Sequence, residues 1–344
     1  MPPETGRIAL TCRAIREETA AIKTFVFEPS QPMAHEAGQA LALSLSVDGT
    51  PLTRTFSISS APEDGGLIEV TVKAHAQGIA GPWLHRNLAV GHRIEARRPF
   101  GRFTLARRRP DAPLALISAG SGATPLMSML RQLARTTPRA DVTWFHTARA
   151  ASEILFAAEL VRLQESMPNL RVAVTLTVPG AGWFGYRGRA TRRLLSVAVP
   201  DLARRDTFCC GPHGFMDEVK LIFAAEGGPP DHFHTEAFRP RSQPSAGERL
   251  PAPMADGPEF ALRIGERVLG MHAGETILQA ALRQGVVIPC GCGQGLCGTC
   301  RIRMVDGTVD LRHQGGISAE DEAEGFILAC SSRAHSDIAI SLAD

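Results

Sequence analysis

At 344 residues, with 37 basic against 35 acidic side chains and a formal net charge of +2, the chain is too long for one ordinary hydrophobic core and has no overall field directed at nucleic acid or an acidic membrane surface. Its 44% hydrophobic and 21% charged content excludes a chain that is disordered throughout. The start, MPPETGRIAL, lacks the charged head and apolar core of a signal peptide, and no run of about 18 apolar residues occurs, so no membrane span and a cytoplasmic location are expected.

In chain order, short apolar runs first alternate with Gly, Pro and Asp clusters. ALALSLSV, TRTFSISS, LIEVTVKA and HRIEARRPFG have strand composition and predict an antiparallel β-barrel over residues 1–108. Two stretches in it stand out: RTFSISS, Arg54 to Ser60, and KAHAQGIAGPWLH, Lys73 to His85. The run Arg107, Arg108, Arg109 reads as a solvated loop.

Beyond it the pattern changes. APLALISAG is a continuous apolar run of the kind found in a buried parallel strand, and SGATPLMSMLRQLAR follows as a glycine turn and an amphipathic helix. DVTWFHTAR, LRVAVTLTV and DTFCCG supply further strands, with ASEILFAAELVRLQES and GFMDEVKLIFAAEG as helices among them. This alternation predicts a doubly wound α/β domain over residues 109–240, which also holds FCCGPHGFM and HTEAF. A stretch rich in Pro, Gly, Ser and Ala reads as a linker at 241–258. From Glu259, the runs FALRIG and RVLGMH, a helix ETILQAALRQG and a cysteine loop make a small α+β domain over 259–344.

Five of the eight cysteines lie in that last domain, four of them within PCGCGQGLCGTC. In a reducing compartment such crowding points to a metal or redox site rather than to structural disulfides. Cys292, Cys297 and Cys300 have C-x4-C-x2-C spacing with Cys330 farther on, the spacing of plant-type 2Fe–2S sites. Glycines 291, 293, 295 and 298 let the loop wrap closely and aim backbone N–H groups at the sulfurs. Cys290 falls outside this set, because substituting it for Cys292 would stretch the first spacing to C-x6-C. Two rival readings compete: a thioredoxin-like dithiol at CGTC, which would need a strand before it and a helix after it, and a zinc site pairing Cys290 and Cys292 with Cys297 and Cys300.

Residues 259–344 resemble a plant-type ferredoxin domain, and residues 1–240 resemble the ferredoxin-NADP reductase family. In this order the three parts are similar to phthalate dioxygenase reductase-like flavoproteins, and to the reductases of hybrid-cluster protein and of Rieske monooxygenases acting on quaternary amines. The resemblance implies a flavin-binding barrel, a doubly wound nucleotide domain and a β-grasp 2Fe–2S domain whose cluster ligands are Cys292, Cys297, Cys300 and Cys330.

It also implies roles for the motifs. In RTFSISS, Arg54 pairs with the flavin phosphate, Thr55 lies on the same strand, Phe56 stacks on the isoalloxazine and Ser57 donates toward N5. Phe56 stands where tyrosine is usual and lacks its hydroxyl. In KAHAQGIAGPWLH, Lys73, Gly81, Pro82 and Trp83 form the second flavin segment, where a helix N-terminus meets the pyrophosphate. Gly81 or Pro82 stands where FAD-binding members carry serine or threonine, which opens FMN as the alternative; FAD is expected, because the loop and Trp83 can accommodate an adenosine half. Gly120, Gly122, Thr124 and Pro125 make the nicotinamide-nucleotide turn. Cys210, Gly211 and Pro212 match the C-G-P element, with Cys210 near the nicotinamide C4 and Cys209 in the core. Glu236 and Phe238 fall where family members cover the flavin. His232 and His234 share H-x-H spacing but have no third ligand nearby, so they read as surface or supporting groups. Arg149 is the lone cation after the second nucleotide strand, which favours NADH over NADPH.

These cofactors imply an enzyme in which NADH gives two electrons as hydride and the cluster takes them one at a time, with the flavin between. The expected partner is a Rieske-type oxygenase component, the reductase function for hybrid-cluster protein is second, and a stand-alone thiol-disulfide or zinc module is the reading of a different class. A monomer is expected.

Overall fold

The structure, a computed structural model, describes residues 7–62, 65–76, 78–238, 259–290, 293, 295, 298, 300–313 and 316–342. The linker proposed at 241–258, Cys292 and Cys297 lie outside the described residues. The chain divides into two units, Met1–Glu236 and Ala237–Asp344. Among the described residues no helix is long and apolar enough to cross a membrane.

The first unit begins with six strands, β1 (Arg7–Thr19), β2 (Ile22–Pro29), β3 (Ala40–Val47), β4 (Thr50–Ser57), β5 (Ile68–Lys73) and β6 (Arg93–Arg97), paired antiparallel in the order β4-β3-β6-β1-β2-β5. An antiparallel bridge from Ile58, just past β4, to Val70 on β5 joins the two edges and closes the barrel. Alternate residues point inward, so Ile8 and Leu10, Phe25 and Phe27, Leu41 and Leu43, and Val70 and Val72 form one buried core. Helix α1 (Ala80–Asn87) contributes Leu84 to it.

The second half of this unit is a parallel sheet. Its strands are β7 (Leu114–Ala119), β8 (Val142–Ala148), β9 (Leu170–Leu176), β10 (Tyr186–Arg187), β11 (Asp206–Cys210) and β12 (Phe233–Glu236), in the order β10-β9-β8-β7-β11-β12. Every residue of β7 and of β11 is buried, as expected of central strands covered on both faces. Helix α2 (Ala123–Thr136) lays Leu126, Met127, Leu130 and Leu133 on the face that carries Leu116, Trp144, Phe208 and Cys210. Helix α3 (Ala157–Ser166) adds Leu160 to that layer. Helix α4 (Arg192–Ala198) precedes β11, and helix α5 (His213–Ala225) packs Phe223 on Phe233, whose register partner Thr207 places α5 on the Cys209 face. Cys209 is fully buried there, as the strand alternation requires. The chain leaves β7 for β8 on one side and finds β11 on the other, so the crevice at the carboxyl ends of β7 and β11 is the topological switch point.

The second unit holds β13 (Glu259–Ile264), β14 (Arg267–His272), α6 (Ile277–Arg283), β15 (Arg301–Asp306), β16 (Val309–Leu311), α7 (Ala319–Ala323), β17 (Phe326–Leu328), β18 (Ser332–Ala334) and β19 (Ile338–Ser341). Five strands form a mixed sheet, β14-β13-β19-β15-β17, with β13 parallel to β19 and the other neighbours antiparallel. Helix α6, opened by a Thr276–Gln279 capping box, buries Ile277, Ala280 and Ala281 in a core shared with Leu262, Ile302, Leu328 and Ile338. This is the β-grasp arrangement.

Candidate active site and cluster loop

Three groups from distant parts of the sequence meet in the first unit. Ser57, the last residue of β4, is buried and donates from Oγ to Glu236 Oε2 over 3.2 Å. Glu236 ends β12 in register with Cys210, which ends β11. Cys210 is fully buried; burial raises its thiol pKa well above the ordinary value, and the Glu236 charge and Cys209 add to the rise. It therefore stays a neutral, polarizable thiol rather than a nucleophilic thiolate.

The polar row continues across the sheet. Cys210 is in register with Ser118 on β7, and Ser118 with His146 on β8. Ser118 Oγ and His146 Nδ1 lie 2.8 Å apart. Full burial lowers the His146 pKa to about 4, so the ring is neutral at pH 7. The sequence reading missed this pair. A histidine inside the apolar run of DVTWFHTAR was the one available signal.

Two glycines bring the strand ends together. A Cβ on Gly122 would lie 2.1 Å from the Cys210 carbonyl oxygen, and one on Gly211 would lie 3.1 Å from Ala119 Cβ. Gly120 has φ +54°, the left-handed region that favours glycine. No side chain caps the start of α2; the Ala123 N–H bonds to the Gly120 and Ser121 carbonyls and Pro125 has none, so the turn runs directly into the helix and sets the positive end of its dipole at the carboxyl ends of β7 and β11. Thr124 and Pro125 are buried in its first turn, and the Thr124 hydroxyl donates to Ser121 O over 3.0 Å, so in this state it braces the turn. Pro212 is the N-cap of α5. Arg149 is exposed just beyond β8, and its carbonyl accepts the Val178 N–H at 2.8 Å.

On the barrel, Arg54 is exposed and donates to Thr53 O over 2.8 Å, while Thr55 is half-buried beside it. Phe56 and Trp83 are half-buried against the barrel core, so Trp83 has a packing role whatever it does with flavin. Lys73 ends β5, and a Cβ on Gly81 would stand 2.5 Å from its carbonyl oxygen. That approach accounts for glycine where a hydroxyl residue is usual. Pro82 is half-buried in the first turn of α1, whose start carries no side-chain cap.

Phe238 belongs to the second unit and is 41% exposed. His234 rests its ring on Phe208 at 4.6 Å between centroids, and His232 Nε2 lies 3.9 Å from Asp231. The three-arginine run departs from a simple solvated loop. Arg109 is fastened to the buried Asp206 by its backbone N–H at 2.6 Å and its Nε at 2.8 Å, because β11 begins with a carboxylate that needs a partner.

In the second unit Cys300 and Cys330 are buried and Cys290 half-buried. Gly295 donates its N–H to Cys330 Sγ at 3.2 Å, and Cys330 donates its own N–H to Cys300 Sγ at 3.4 Å. Gly293, Gly295 and Gly298 all have positive φ, the backbone glycine readily adopts, and at Gly295 it accompanies the N–H directed at Cys330 Sγ. Hydrogen bonds from the Cys290 and Cys300 thiols lower the Cys330 pKa, and the corresponding contacts with Cys290 and Cys330 raise that of Cys300. The backbone N–H aimed at Cys330 Sγ and the close approach of these sulfurs fit a 2Fe–2S group.

The chain matches the families described as Oxidoreductase FAD-binding domain over residues 10–105, Oxidoreductase NAD-binding domain over 116–220, and 2Fe-2S iron-sulfur cluster binding domain over 265–335. It is 34% identical to the glycine betaine monooxygenase reductase subunit of Pseudomonas aeruginosa, across 97% of this chain and 95% of that one. It is 36% identical to a stachydrine N-demethylase reductase subunit of Rhizobium meliloti, across 94% of this chain and 93% of the relative. Among solved structures, phthalate dioxygenase reductase shares the fold with a TM-score of 0.61 and 22% identity, covering 99% of each chain.

Proposed function

Because the chain belongs to the family of oxidoreductases that join an FAD-binding, an NAD-binding and a 2Fe–2S domain in one polypeptide, we propose that it is the reductase component of a Rieske-type oxygenase acting on a quaternary amine. When bound, the nicotinamide supplies a hydride, the flavin converts that pair into single electrons, and the 2Fe–2S group hands them on. The observation that carries the reading is the meeting of Ser57 from the barrel with Glu236 and Cys210 from the sheet.

Each residue then has a task. The positive end of α2 holds the dinucleotide pyrophosphate, Gly120 has open space beside it, and Gly122 lets the end of β11 pack against the turn. The neutral Cys210 thiol shapes the nicotinamide pocket and keeps water out. Ser57 Oγ holds its proton toward Glu236 Oε2, so a proton at the flavin edge has a two-residue path to a carboxylate. Phe56 braces the flavin plane, and Arg54 supplies charge for a phosphate. Cys292, Cys297, Cys300 and Cys330 would hold the cluster. NADH is the proposed donor, since Arg149 is one cation where a 2'-phosphate needs a clamp. The quaternary-amine class is carried over from the substrates named for the two curated relatives.

Anaerobic titration of the purified protein with NADH tests the reading. Flavin absorbance should bleach, and a 2Fe–2S signal should appear in electron paramagnetic resonance in the same sample. A colourless preparation without acid-labile sulfide would sink it.

A further inference from the structure

The N-terminal part of α2 forms the nucleotide turn, but its middle is fastened to the flavin strand. Arg131 donates from Nη1 to Ser59 O at 2.8 Å and to Glu69 Oε2 at 2.7 Å. Its Nε and Nη2 grip both Glu159 oxygens at 2.7 Å. Glu69, on β5, is held from its other side by Arg16 at 2.7 and 2.8 Å. One turn earlier, Ser128 Oγ donates to Ser60 O at 2.6 Å, and one turn later Arg135 reaches Pro62 O at 3.1 Å. The carbonyls of Ser59 and Ser60, just after the flavin-facing Ser57, are thus both taken by the helix that faces the pyrophosphate.

The same guanidinium braces the start of α3. Glu159 lies in the first turn of α3, and the Arg131 guanidinium lies 5.4 Å from the ring centroid of Phe156, the N-cap of that helix. Phe156 has φ 60°, a strained conformation for a bulky residue that persists where neighbours over-determine it. Arg131 itself is 12% exposed, so its charge depends on both carboxylates.

We propose that Arg131 is a positioning residue for hydride transfer: by bridging β5, α2 and α3 it sets the distance and angle between nicotinamide and flavin, without touching either. This rests on the reductase reading above. Misplacing reacting atoms by about 1 Å costs about a hundredfold in rate. Lysine is one point charge with three donors and cannot reproduce the bidentate grip on Glu159 together with the contacts to Glu69 and Ser59.

The test uses the full-length, flavin-loaded protein, mixed rapidly and anaerobically with NADH and with NADH deuterated at the transferred position. Arg131→Met should keep its flavin and bind NADH within about threefold of wild type. Hydride transfer should slow by about tenfold to a hundredfold, and the long-wavelength nicotinamide–flavin charge-transfer band should weaken. Arg131→Lys should fall between the two. Should Arg131→Met lose its flavin, Glu159→Gln and Ser128→Ala carry the test, each slowing hydride transfer by about threefold or more with flavin retained. Flavin-loaded variants with the wild-type rate and charge-transfer band overturn the proposal. A wild-type protein whose flavin takes no hydride from NADH overturns the reductase reading instead, and the proposal with it.

Discussion

Gly122 and Cys210 are in backbone contact: a methyl group on the first would overlap the carbonyl of the second at 2.1 Å. The obstacle is main chain on a buried strand, so it cannot rotate aside. Gly122→Ala should spread the ends of β7 and β11 and raise the KM for NADH by about tenfold or more, a loss of about 1.4 kcal/mol in binding. Flavin content should hold, because the barrel is untouched. Unchanged KM would show that the turn does not seat the nucleotide.

Glu236 accepts a hydrogen bond from the Ser57 hydroxyl and stands in register with Cys210. Glu236→Gln keeps the shape but removes the proton acceptor, so flavin turnover with NADH should slow by about a hundredfold while bound flavin stays constant. Stopped-flow traces at several pH values would check this. A variant as fast as the parent would remove Glu236 from the proton path.

Glu69 gives a pH dependence with a defined sign. Burial opposes its charge, but the hydrogen bond from Arg16 and the charges of Arg131 and Arg16 outweigh it, and its pKa falls below the usual 4.5. A carboxylate depressed in the folded state adds stability above its unfolded pKa, and that stability is lost as pH falls through the folded value. Denaturation of the first unit should therefore become easier as pH drops below about 4.5, and Glu69→Gln should flatten that part of the profile. Parallel acid profiles for the two proteins would refute the assignment.

Cysteine substitutions separate the ligands from their neighbour. Cys290→Ser should retain iron and sulfide at wild-type stoichiometry, although its thiol contacts Cys300 and Cys330. Cys330→Ala should lose the cluster spectrum yet leave flavin reduction by NADH at the parental rate, since each unit has its own core. Iron loss in the first variant would make Cys290 a ligand.

What could be read from the sequence was what local pattern encodes. The apolar run before SAGSGATP announced β7 and its glycine turn, and the glycine-spaced thiols announced the cluster loop, because each is written in consecutive residues. Strands β10, β16, β17, β18 and β19 are two to four residues long and left no readable period. The Arg131 clasp was invisible for another reason. Its partners lie 28 and 62 positions away, and only the packing of barrel on sheet brings them together. The Arg109–Asp206 pair was invisible likewise, since the two lie 97 positions apart. The close approach of Gly81 to the Lys73 carbonyl, which leaves no room for a side chain there, was not legible in the sequence either.

The first unit closes on Glu236, the final residue of its final strand. On the reductase reading, a fragment stopped just past it would keep every strand of the barrel and the parallel sheet, and with them the reductive half-reaction, whereas one stopped before Phe233 would lose an edge strand and the packing of Phe233 on Phe223. Lineages could exchange the electron outlet behind that point, or move it to the other end of the gene, without rebuilding the hydride chemistry.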